Sequence, residues 1–169
     1  MKKNKSFIIV LMLILIFSNI LTVSAANNDD EVIEEKILLN SHIEELEGGD
    51  EALIEDYIVL EVEPNGLITH RKTLTRSWTI YSIQSNGNKK YHIKFELEGR
   101  FKYTGSYSEC ETVYSKIIPY SNKYRGKASK SMYDDTATLY CTAINNQTGK
   151  STYKTIKITV DKNGNVTYS

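Results

Sequence analysis

From Trp78 to Val160 apolar and polar residues alternate at a period of two, and Gly, Asn or Pro interrupts the alternation every eight to twelve residues. A pattern of that kind buries one face of a pleated strand and gives a helix no apolar stripe. Trp78 and Ile80 share one face with Ser82. Tyr91, Ile93, Phe95 and Leu97 share a face of the next strand, leaving His92, Lys94, Glu96 and Glu98 on the other. Between these two runs, Asn86-Gly87 predicts a hairpin, because the positive φ values of a type I′ turn favour that pair. Phe101 with Tyr103, Val113 with Ser115 and Ile117, Ala137 with Leu139, Cys141 and Ala143, and Ile156 with Ile158 and Val160 continue the alternation. The expected fold is all-β, an antiparallel β-sandwich of Ig-like or similar Greek-key topology.

The first residues carry an address. Lys2, Lys3 and Lys5 precede an apolar run from Phe7 to Phe17, and Val23-Ser24-Ala25 supplies the small residues of a cleavage site. This is the pattern of a secretory signal peptide over 1–25. Ser18, Asn19 and Thr22 cut the apolar run short of the roughly 20 residues that span a bilayer, so no stable membrane span is expected after signal removal. The remaining length suits one core. The expected localisation is secreted.

Charge divides what remains. Residues 26–69 hold fourteen Asp and Glu against the single cation Lys36, whereas residues 70–169 hold seventeen Lys and Arg against seven Asp and Glu. The reading is an acidic segment over 26–69 and a basic β-sandwich domain over 70–169. In the acidic segment Val32, Leu39, Ile43 and Leu46, with Ile33 and Ile37 alongside, recur at three- and four-residue steps and predict a helix ended by Gly48-Gly49. Ile58, Leu60 and Val62 then alternate into the Pro64-Asn65-Gly66 turn, which predicts a β-hairpin.

The two cysteines of an exported chain are expected to pair. A Cys110–Cys141 disulfide closes a loop that the chain-entropy model values at about 3 to 4 kcal/mol. Catalytic chemistry finds little footing. His42, His70 and His92 are scattered, Asp134-Asp135 reads as a turn, and no phosphate loop, nucleophile elbow or zinc-protease motif occurs. The expectation is no enzyme, no cofactor and no metal.

The distinctive feature of the basic domain is interleaved phenol and cation. Tyr103, Tyr107, Tyr114, Tyr120, Lys123, Tyr124, Arg125 and Lys127 form the candidate binding surface, with rings to stack on sugar or peptide and cations to meet phosphate or carboxylate. Export makes nucleic acid a poor partner and favours an envelope polymer, glycan or protein.

The Val62 to Gly66 turn, Trp78, the Gly99-Phe101-Tyr103-Gly105 run and the closing Asp161-Asn163-Gly164 hairpin resemble those of small secreted β-sandwich proteins of Gram-positive bacteria whose function is unknown. Val113-Tyr114-Ser115 is similar to a stretch of the β-sandwich bacteriocins of the lactococcin 972 type. The resemblance implies a secreted sandwich and transfers no site residue. Two functions are expected from these features. One is a non-catalytic binding module; the other is an antimicrobial or toxin-like effector whose acidic segment masks the basic domain until cleavage near Gly48-Gly49 or at Arg71, Lys72 and Arg76.

Overall fold

The structure, a computed structural model, describes residues 36–59 and 70–169; the expected signal peptide, the start of the acidic segment and the Pro64-Asn65-Gly66 hairpin lie outside them. The described residues are all-β. β1 (Lys36–Glu45), β2 (Glu51–Val59), β3 (His70–Ile83), β4 (Lys89–Tyr103) and β5 (Ser108–Pro119) form one antiparallel sheet in that order. β6 (Tyr124–Tyr133), β7 (Thr136–Asn145), β8 (Ser151–Val160) and β9 (Val166–Tyr168) form a second. Strand order follows chain order in both sheets, which corrects the Greek-key expectation. The reason is local: short connections with strong turn chemistry leave each strand beside its predecessor. At Asn86-Gly87, Gly87 takes a φ of 81°, and the Asn88 amide donates to Asn86 Oδ1 at 3.0 Å.

Both sheets contribute to one core. Leu74, Trp78 and Ile80 of β3 and Ile93, Phe95, Leu97 and Phe101 of β4 cluster with Leu139 and Cys141 of β7 and Ile156, Ile158 and Val160 of β8. Trp78 stacks on Phe95 with ring centroids 5.2 Å apart. Each fully buried large side chain contributes about 1.5–3 kcal/mol of transfer free energy. Gly126, in β6, keeps this core closed, since a Cβ there would lie 2.7 Å from Ile93 and 2.9 Å from both Ile117 and Phe95.

The expected helix over the acidic segment is corrected where it is described, because Lys36–Glu45 is strand β1. Ile37, Leu39 and Ile43 are solvent-exposed, so no packed apolar stripe rewards a helix there. The backbone groups pair instead with β2, from Lys36↔Val59 to Glu45↔Glu51, with a bulge at Leu39. Gly48-Gly49, read as a helix stop, forms the hairpin turn, in which the Leu46 amide donates to the Asp50 carbonyl at 2.8 Å.

The charge boundary at residue 70 is not a structural boundary. β2 comes from the acidic side and pairs over its whole length with β3 from the basic side, placing Ala52 and Ile54 in the core. Asp56 lies opposite Arg76, and their ion pair, with Nε to Oδ1 at 3.3 Å, is buried. Burial raises the Asp56 carboxyl above its usual range even though the Arg76 charge opposes the shift. Arg76 is therefore not part of an open cleavage cluster.

The expected disulfide is also corrected: Cys110 in β5 and Cys141 in β7 are both buried and both free. They stand in different sheets, and each thiol donates to a carbonyl of its own strand, that of Thr112 and of Leu139 respectively. Burial pushes Cys110 up to about 11 and Cys141 up to about 12, so both remain protonated thiols.

Candidate functional site

The structure distributes the predicted surface residues over several places. Tyr103 and Tyr107 lie at one end of β4 and its following turn, where Lys72 and Lys102 stand over their respective rings. Tyr114 is exposed midway along β5 under Lys130. Tyr120, Lys123 and Tyr124 lie at the opposite end, about 40 Å away at the strand rise per residue. Arg125 and Lys127 project from β6.

At the Lys123 end a buried polar cluster forms. The pairing of β3 with β4 shifts between Ile80 and Tyr81, so Ile80 faces Ile93 while Tyr81 faces Tyr91, and His92 is the extra residue. A bulge of this kind re-aims side chains. It reverses the expectation for two residues: Tyr91 turns outward against Tyr81 and Tyr120, whereas His92 turns inward and is buried. His92 Nε2 lies 3.0 Å from Ser82 Oγ, and Nδ1 lies 3.0 Å from Ser121 Oγ. Burial lowers the imidazole's proton affinity, helped by the Lys123 charge and opposed by Asp50. Ser121 Oγ also accepts the Lys123 amide proton at 3.3 Å, which ties the serine to the turn that follows it.

Beside it, Asp50 clasps the basic half. Its carboxylate accepts from Lys123 Nζ at 2.8 and 2.7 Å and from the Tyr124 hydroxyl at 2.7 Å. Burial and that hydrogen bond push the Tyr124 phenol up to about 12. Tyr124, predicted as a surface ring, is 6% exposed. A polar cavity of about 300 Å³ opens here between His92, Ser121 and the Asn146-Gln147 turn.

The outer face of the four-stranded sheet gathers chemistry that the sequence reading passed over. Ala137, Leu139, Cys141 and Ala143 point into the core, so Tyr140, Thr142 and Ile144 lie on the opposite face, together with Thr138, which is buried there at 6% exposure. The register places Arg125 beside Ile144, Lys127 and Tyr153 on either side of Thr142, Ser129 and Thr155 on either side of Tyr140, and Lys157 beside Thr138. Tyr153 is 74% and Tyr140 52% exposed. Every charged residue within β6–β9 is a cation, and of these Arg125, Lys127 and Lys157 belong to this face. Of the predicted surface, only Arg125 and Lys127 lie on it. The signal that would have found the others was the polar half of each alternation, Tyr140 with Thr142 and Tyr153 with Thr155 and Lys157.

Among the described residues, no helix is long and apolar enough to cross a membrane. Nor does any group of three or more His, Cys, Asp or Glu among them offer a metal site. In comparison with known proteins, the chain matches no family model, no curated protein and no solved structure.

Proposed function

We propose that the chain is an exported, non-catalytic binding module of a Gram-positive bacterium, a β-sandwich whose four-stranded sheet docks its outer face on an anionic envelope polymer. The observation that carries this reading is the row of Arg125, Lys127 and Lys157 among exposed Tyr140 and Tyr153, with no carboxylate in the strands of that sheet. Flat hydroxyl-rich rows beside the rings suit a glycan or polyol chain, and the cations suit its phosphates or carboxylates. The non-catalytic reading is supported at the polar cluster. Both His92 nitrogens face serine hydroxyls, while Asp50, the nearby carboxylate, is taken up by Lys123 and Tyr124.

Retention on isolated cell walls across a salt series tests the reading. Binding is expected at low salt and is lost toward 1 M, where the screening length falls to about 3 Å. The K127E/K157E double variant is expected to lose retention already at low salt. Absence of low-salt retention, or full retention by the double variant, would count against the proposal.

A further inference from the structure

We propose that two copies of this chain associate through β1, pairing antiparallel about a two-fold axis at Ser41 and joining two five-stranded sheets edge to edge. β1 is the outermost strand of its sheet among the described residues, and Ile37, Leu38, Leu39 and Ile43 are 40%, 49%, 49% and 54% exposed. This ten-residue edge strand has no proline and its only lysine is at the first position, so its guards against strand addition are the bulge at Leu39 and the charges near its ends.

The face pattern of β1 selects a second copy as the occupant. The register with β2 and the bulge at Leu39 put Lys36, Leu38, Ser41, Ile43 and Glu45 on one face and Ile37, Asn40, His42 and Glu44 on the other. Directly opposed residues of antiparallel strands share a face. With the axis at Ser41, Lys36 of one copy meets Glu45 of the other, Leu38 meets Ile43, and Ser41 meets itself; on the second face Ile37 meets Glu44 and Asn40 meets His42. All five pairings satisfy the rule although the strand is bulged. A slip of two residues leaves Lys36 against Ile43 or Glu45 against Leu38, and a slip of one turns each side chain to the wrong face.

Charge makes the same choice. Glu45 stands opposite Glu51 of β2, a like-charge pair that an incoming Lys36 relieves. Within one chain Lys36 reaches Glu98 at a loose 3.9 Å across exposed surface, so it changes partner at little cost. Glu44 holds Lys154 at 2.5 Å and stays on its own molecule.

Sedimentation velocity of the natural protein over a concentration series tests the pairing. The expected result is a monomer–dimer equilibrium whose dissociation constant rises at least tenfold in K36E and in E45K, because each change sets like charges at both symmetry-related positions. The K36E/E45K swap is expected to restore the dimer. S41C supplies a readout that does not depend on affinity: opposed Cα atoms 4.5–5.5 Å apart suit a disulfide, so mild oxidation yields a covalent dimer. Cys110 and Cys141, buried, do not compete. A wild-type protein that stays monomeric at all concentrations overturns the proposal, as does a charge swap without rescue or an S41C protein that fails to cross-link.

Discussion

Removing the Asp50 carboxylate tests whether the acidic and basic halves are held as one body. Asp50 is 5% exposed at the end of the β1–β2 turn, and it receives two contacts from Lys123 Nζ and one from the Tyr124 hydroxyl. In D50A the Tyr124 hydroxyl loses a charged acceptor within a buried site, a loss of about 1.5–3 kcal/mol. The Lys123 contact adds at most about 1 kcal/mol, because its side chain is 28% exposed and screened by water. The expected total is about 3 kcal/mol, or roughly 10 °C in melting temperature for a domain of this size. Y124F removes the hydroxyl alone, and the expected loss is about 1 kcal/mol. Urea unfolding of both single variants and of the double variant gives the coupling, expected at about 1 kcal/mol or more. Losses that simply add, or a D50A loss below about 0.5 kcal/mol, would refute the clasp.

Three further outcomes are expected. G126A drives a methyl against Ile93, Ile117 and Phe95 and is expected to destabilise the fold by about 1–3 kcal/mol in the same urea assay; a neutral result contradicts the packing. His92 binds its proton less readily folded than unfolded, so the unfolded chain takes up more protons as pH falls below about 6.5. Stability contributed by the neutral ring is present above that pH and is lost below it. H92Q should therefore flatten the melting temperature between pH 7 and 5, and an unchanged pH profile tells against the assignment. Reduction is expected to leave the melting temperature unchanged, and iodoacetamide to label Cys110 and Cys141 only on unfolding; labelling of the native protein speaks against buried thiols.

Strands β4, β7 and β8 were legible because each buries one face, and period-two hydrophobicity reports that burial directly. β6 was not legible: Lys127 to Met132 carries no apolar alternation, and the strand is specified by its pairing with β7 and by the small volume of Gly126. β1 was misread for the opposite reason. Its apolar residues fall at helical spacing by coincidence, none packs into the core, and β2 supplies the hydrogen-bond ladder that decides the outcome. The inward turn of His92 depends on one extra residue between strands, which no periodicity reports. Tyrosine and lysine are conspicuous in the basic half of the sequence, but chain proximity was a poor guide to spatial proximity. Residues adjacent along β4 and β5 scatter between two ends, whereas Lys127, Tyr140, Tyr153 and Lys157 converge from three strands.

The most direct measurement is an amide and side-chain NMR titration of the labelled protein with a purified anionic wall polymer at low salt. Shift changes are expected on Arg125, Lys127, Tyr140, Tyr153 and Lys157, and they should disappear when salt is added. Changes confined to Tyr103, Tyr107 and Tyr114, or none at saturating polymer, would contradict the assignment of the four-stranded face.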